Sequence, residues 1–198
     1  QLVSLISGSA AITIAICAEP LLLVWTGDMH LAEQAAPILQ LYAIGNGLLA
    51  LAAFPYYLQY AKGNLRFHLI GNLISVAMLV PAIVAAATYY GSVGAGYAWM
   101  GINGLYLVTW VAFVHYKLEP GLHFEWMVKD FLVICLPGLL LGLLASVFWH
   151  GTETTIYSLA YITALGSSII LFSASFSTKA RDQMAKLLMI KRLRSTHA

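Results

Sequence analysis

From Phe67 to Tyr116 the chain runs for 50 residues without a single Asp, Glu, Lys or Arg. A soluble domain cannot build its surface from such a stretch, because water-facing positions need charged side chains at intervals. The stretch is long enough for two helices that cross a bilayer, each needing about 20 residues for a hydrocarbon core of about 30 Å. The remainder is similar in kind: hydrophobic residues make up 61% of the chain and charged residues 9%, and the mean hydropathy is +0.82. Backbone amides find no water inside lipid, so crossing segments must be helices or a closed barrel. Barrel strands are short and alternate in polarity, unlike these long apolar runs. The expected fold class is therefore an all-α polytopic membrane protein.

Six apolar stretches have the required length, at 2–23, 38–58, 67–90, 93–114, 131–149 and 156–176. Basic residues are retained in cytoplasmic loops, so their distribution orients the spans. Lys62 and Arg66 fall in the second connector, Lys117 and Lys129 in the fourth, and six of the 10 Lys and Arg residues follow position 178. The intervening connectors hold Asp28, Glu33 and Glu153 but no Lys or Arg, and Gly91-Ser92 is a tight, uncharged link. Strict alternation follows, with both ends of the chain expected on the cytoplasmic side. The chain divides into a six-span region at 1–178 and a basic tail at 179–198, whose Met184, Leu187, Leu188, Met189 and Ile190 suit an amphipathic helix on an anionic inner leaflet. The connector at 115–130 is expected to include a short interfacial segment around Leu122, Phe124, Trp126 and Met127. The first residue is Gln1 and the first apolar stretch follows at once, without a signal peptide's basic start. We read the chain as part of a longer protein.

Prolines and glycines indicate how the spans bend and pack. Pro37 is expected to open the second helix, and Pro55, Pro81 and Pro137 to bend the second, third and fifth, each removing an intrahelical hydrogen bond. Gly94, Gly96, Gly101 and Gly104 thin the fourth span, while Gly138 and Gly142 form a small-xxx-small pair on the fifth; small residues let helices approach closely in lipid. Pro55, Pro81, Pro137, Gly94, Gly96 and Gly101 are thus candidates for packing or conformational roles.

Chemistry is sparse. The six histidines show no metal-ligand spacing, Cys17 and Cys135 lie in apolar stretches, and no phosphate loop or paired catalytic carboxylates occur. An enzyme is not expected, nor a cofactor, a metal or a nucleic-acid partner, since no large basic face exists. The polar groups that enter the spans are mainly amides: Asn46, Asn72 and Asn103, with Gln59 near an inner end. Buried amides must find partners, either by bonding between helices or by facing a polar cavity where they would bind sugar hydroxyls or a headgroup. Lys62 and Arg66, four residues apart, could align on a phosphate or simply follow the positive-inside bias. These six residues are the substrate-binding candidates.

Several segments resemble the C-terminal part of bacterial polysaccharide-biosynthesis, O-antigen-type flippases of the multidrug, oligosaccharidyl-lipid and polysaccharide exporter superfamily. They are Leu21-Leu22-Leu23-Val24-Trp25-Thr26-Gly27, Ala36-Pro37-Ile38-Leu39-Gln40-Leu41, Pro55-Tyr56-Tyr57-Leu58-Gln59-Tyr60-Ala61-Lys62-Gly63-Asn64, Gly71-Asn72-Leu73-Ile74 and Tyr90-Gly91-Ser92-Val93-Gly94-Ala95-Gly96-Tyr97-Ala98. Matching patches cover roughly 21–110, and the last two spans fit by helix count alone. The resemblance implies most of one lobe of a two-lobed exporter in the bacterial cytoplasmic membrane, with the N-terminal half supplying the other lobe. It implies alternating-access transfer of a polyprenyl-diphosphate-linked oligosaccharide, with membrane lipids and polysaccharide-assembly machinery as further partners and the coupling ion left open. A small-amphiphile or multidrug exporter of the same superfamily, a membrane-embedded glycan polymerase and a structural scaffold are the alternatives.

Overall fold

The computed structural model of the chain describes residues 1–148, 154–183 and 186, and every regular element among them is a helix. We label them α1 (Ser4–Ile16), α2 (Ala18–Thr26), α3 (Met29–Leu51), α4 (Ala53–Ala61), α5 (Arg66–Leu118), α6 (Leu122–Val147) and α7 (Thr155–Phe176). Four helical segments are long and apolar enough to cross a membrane: α3 with α4, α5, α6 and α7. The bent pair α1 and α2 makes five if it counts as one span.

The first expected span, 2–23, is not continuous. It breaks at Cys17, where φ −95° and ψ 22° leave the helical region, and α2 departs from α1 at 76°. Pro20 explains the position: its ring has no N–H for the Ile16 carbonyl and would clash with it in a continuous helix. The broken backbone is shielded, since Cys17 and Ala18 are fully buried. The second expected span is corrected at its start. Asp28 caps α3 by accepting a 3.1 Å hydrogen bond from the Leu31 amide, so the helix begins at Met29 and Pro37 lies inside it. The outer connector accordingly shrinks from 25–37 to the turn at Gly27 and Asp28. Near Pro55, α3 ends at Leu51 and α4 restarts at Ala53 with Pro55 in its first turn, and the two together make one membrane-length segment.

The segment α5 contains 53 residues, too many for a single crossing. Gly91 interrupts it with φ 65° and ψ −154°, a conformation essentially reserved for glycine. The chain folds back there. Trp110 Nε1 donates a 3.2 Å hydrogen bond to the Phe67 carbonyl, 43 positions away, and the Phe67 and Phe113 rings meet edge to face. Pro81, expected to bend this segment, sits in continuous helix with its ring exposed. The expected connector at 115–130 narrows to Glu119-Pro120-Gly121. Helix resumes at Leu122, directly after Gly121 with φ 90°, and passes through widened π-type turns at Met127–Leu132 into the rest of α6. Pro137 is likewise accommodated inside α6. The last span matches expectation, with α7 running from Thr155 to Phe176. Most of the expected tail helix lies outside the described residues.

Packing centres on α1, which touches α3, α6 and α7. Glycines set these contacts. A side chain at Gly47 of α3 would meet Ala11, one at Gly142 of α6 would meet Ile16 and Ile169, and one at Gly166 of α7 would meet Thr13. Gly96 in the second limb of α5 lies against Leu41, and Gly94 sits under the Ala86 carbonyl beside the Gly91 fold-back. Gly101 has open space around it and takes no part in close approach among the described residues. A paired substitution separates these roles. Gly142→Leu should destabilise the bundle by about 1–3 kcal/mol through overpacking, read as a lower unfolding temperature in detergent. Gly101→Leu should leave that temperature unchanged; equal losses for the two would contradict the packing described.

Candidate functional site

Four of the six substrate-binding candidates come together where α4 turns into α5. Lys62 ends α4, Gly63 and Asn64 make the turn, and the Asn64 carboxamide oxygen accepts a 3.1 Å hydrogen bond from the Arg66 amide. Gln59 pins this corner from inside. It is 2% exposed, its Nε2 donates to the Pro55 carbonyl at 3.1 Å, and its Oε1 accepts from the His68 amide at 2.7 Å. That amide belongs to the first turn of α5, where backbone N–H groups lack helical partners. One buried side chain therefore satisfies groups on both arms of the turn. His68 extends the link, with its ring 4.7 Å from the Tyr56 ring centroid and its Nε2 3.1 Å from Nδ2 of Asn72.

Lys62 and Arg66 do not form one cationic pocket. Lys62 Nζ donates to the Leu118 carbonyl at 2.6 Å and to Glu119 Oε2 at 2.7 Å, joining the α4–α5 corner to the end of α5. A cation at a helix C-terminus complements the orphan carbonyls and the helix dipole there. The hydrogen bond and charge of Lys62 hold the Glu119 carboxyl below the usual carboxylate range. The Arg66 side chain is exposed and makes no ion pair among the described residues. Asn46 and Asn103 lie elsewhere. Asn46 is exposed on α3, while Asn103, buried in the second limb of α5, donates through Nδ2 to the Trp99 carbonyl of its own helix.

Two features had no sequence expectation. Beside the corner, His115 and His123 bring their Nδ1 atoms to 3.2 Å across the Glu119-Pro120-Gly121 turn, packed on Trp126, with Phe54 beside His115. Their position at the two ends of a Pro-Gly turn was the available signal. The other is a groove of about 500 Å³ between α1, α3 and α6. Its walls are almost wholly aliphatic; Gln40 and Ser146 contribute side-chain polar groups, and none of the six candidate polar residues lines it. Among the described residues no group of three or more His, Cys, Asp and Glu side chains is placed to hold a metal ion. Compared with protein-family models, curated proteins and solved structures, the chain matches none.

Two outcomes test this geometry. Gln59→Leu removes the acceptor of the His68 amide, so hydrogen exchange at that amide should accelerate about tenfold or more. Unchanged exchange would mean that Gln59 does not hold the corner. Because the Glu119 carboxyl has its pKa lowered in the folded protein, the Lys62–Glu119 link should be complete at neutral pH and disappear as pH falls through that lowered value. Carboxyl titration by NMR should show Glu119 shifted down in the wild type and returned to the ordinary range in Lys62→Met.

Proposed function

We propose that this chain forms a lobe of a bacterial cytoplasmic-membrane exporter that moves a polyprenyl-diphosphate-linked oligosaccharide between leaflets by alternating access. The carrying observation is the buried 76° break between α1 and α2, inside a bundle of membrane-length helices. Non-helical backbone at membrane depth is tolerated where protein buries it, and discontinuous helices are characteristic of transporters that rock one bundle against another. With α5 counted as two crossings about Gly91, the chain has six spans and both its ends face the cytoplasm.

The barrier to flipping such a molecule is desolvation of its sugar and diphosphate in hydrocarbon. A lobe lowers it by offering polar contacts in place of water. Arg66, exposed at the corner, supplies a guanidinium suited to bidentate phosphate contact. Lys62 joins it by exchanging its Glu119 partner for phosphate. Asn46 and Asn72 present exposed amides to sugar hydroxyls, while Gln59 and Asn103 hold the backbone that positions them. A second lobe, from the N-terminal half of a longer protein, completes the path. The aliphatic groove favours one other reading, a small-amphiphile exporter of the same superfamily.

Depletion of the full protein should trap the lipid-linked oligosaccharide in the cytoplasmic leaflet while its synthesis continues. Restored wild type should release it, and an Arg66→Glu variant inserted at equal level should restore transfer at least tenfold less well. An unchanged leaflet distribution, with no redundant transporter, would reject the sugar-lipid reading in favour of small amphiphiles. Full rescue by Arg66→Glu would remove Arg66 from the phosphate site.

A further inference from the structure

The proposed transport role leaves His115 and His123 unused. His115 lies in the last turn of α5 and His123 in the first turn of α6, on opposite sides of the Glu119-Pro120-Gly121 turn. Their Nδ1 atoms are 3.2 Å apart, within hydrogen-bond distance. His115 is 0% exposed and its Nε2 has no partner, whereas His123 is half-buried. Phe54 of α4 meets the His115 ring edge on, and Trp126 of α6 packs on both rings. Titratable groups on the surrounding elements are engaged elsewhere. From α4, Lys62 bonds to the Leu118 carbonyl and Glu119, while Tyr56 packs with Tyr57, Tyr60 and His68. In α6, Glu125 pairs with Lys129, on which Asp130 also acts. In α5, Tyr106 joins the apolar cluster around Trp126, and Lys117 lies over the Phe113 and Tyr116 rings. Beyond Tyr42, α3 has no titratable side chain. Among the described residues none of these groups hydrogen-bonds or ion-pairs with either imidazole.

The number of protons decides how such a pair behaves. A neutral imidazole carries one N–H and one bare nitrogen, so one ring donates from Nδ1 and the other accepts there. A buried N–H without an acceptor is rarer in proteins than a buried acceptor without a donor. His115 is therefore the donor: its Nδ1–H is shared with His123 Nδ1, and its orphan Nε2 stays bare. His123 then keeps its proton on Nε2. One added proton upsets this arrangement wherever it lands. If His115 is charged, both its nitrogens carry protons. If His123 is charged, it donates from Nδ1, and His115 must shift its own proton to Nε2 to accept. Either way an N–H stands at the buried Nε2 with no acceptor, in a charged pair that no carboxylate among the described residues neutralises. A buried charge without a partner is costly. Parting the rings relieves that cost, because half-buried His123 can carry its charge into water.

We infer that His115 and His123 form a proton-operated latch on the α5–α6 turn, closed while both rings are neutral and opened when one takes up a proton. The backbone of the turn hangs on the same few residues. The Glu119 amide donates to the His115 carbonyl at 2.8 Å, and the Leu122 amide donates to the Glu119 carbonyl at 3.2 Å. Opening the latch frees the start of α6 from the end of α5. The Lys62–Glu119 link persists meanwhile, because the Glu119 carboxyl is held below the usual carboxylate range and stays ionised while histidines titrate. The latch does not depend on what the protein transports.

The test uses the full protein in lipid nanodiscs. NMR of isotope-labelled histidine at about pH 8 should find His115 protonated on Nδ1 and bare on Nε2, and His123 the reverse. A proton on His115 Nε2 at that pH would overturn the inference. Hydrogen exchange at the Leu122 amide, corrected for the intrinsic effect of pH, then follows the turn. Between about pH 8 and about pH 5, where histidine titrates, protection of that amide should fall about tenfold or more in the wild type. In His123→Asn the carboxamide oxygen accepts from His115 Nδ1–H and takes up no proton, so protection should fall less than about twofold. Equal falls in the two proteins, or no fall in the wild type, would overturn the latch. The tautomer measurement needs no substitution and decides the matter even where the variant does not fold.

Discussion

Close approach at glycines is the constraint on which the bundle depends. In water, burial of apolar side chains would press these helices together; in lipid the tails are as apolar as leucine, and that force is largely absent. What remains is dispersion, which decays steeply with distance. The helices therefore need flat surfaces, and Gly47, Gly142 and Gly166 provide them against Ala11, Ile16 and Thr13 of α1. Gly138 does the same between α6 and α7, lying against Ser173 and Ile169. Because three neighbours seat on α1, that helix organises the packing although its sequence shows little amphipathic pattern.

The same solvent makes backbone breaks costly, so their positions are informative. Each unsatisfied peptide group in hydrocarbon costs several kcal/mol by order of magnitude. The break at Cys17 is buried by protein, while those at Gly91 and at Glu119-Pro120-Gly121 fall at the ends of long apolar limbs. The turn between α4 and α5 uses a third solution: the buried Gln59 supplies the hydrogen bonds that water cannot. Helical pieces joined by such breaks can pivot as units while their internal hydrogen bonds stay intact.

Fold class was legible because bilayer thickness and backbone hydrogen bonding leave few options, and α7 and the Gly91 link followed directly. Helix ends were less legible. Asp28 is a strong capping residue, yet Pro37 looked like the better start; a proline inside α3 costs one hydrogen bond, whereas the Asp28 cap restores one at its end. Charged residues at Glu125, Lys129 and Asp130 suggested a connector, but Glu125 and Lys129 pair at 2.7 Å across one turn and leave the helix intact. The break at Cys17 was obscured by an apolar run that continues through it. In the site, residue type could not show whether an amide faces inward. Gln59 and Asn103 bond to backbone near themselves, while Asn46 and Asn72 lie exposed, and only the fold separates them.

Lys62 and Arg66 show the same limit for charge, with a consequence for mechanism. Four residues apart, they look equivalent in sequence. The fold couples Lys62 to the end of α5 and leaves Arg66 outside that link. An anion arriving at the corner would meet Arg66 with no ion pair to break among the described residues, whereas engaging Lys62 would require separating it from Glu119. Exposed pairs of this kind contribute little stability, so the exchange is accessible, and it would release the end of α5 from α4. A single event at the polar corner would then act on the joint between two helical pieces.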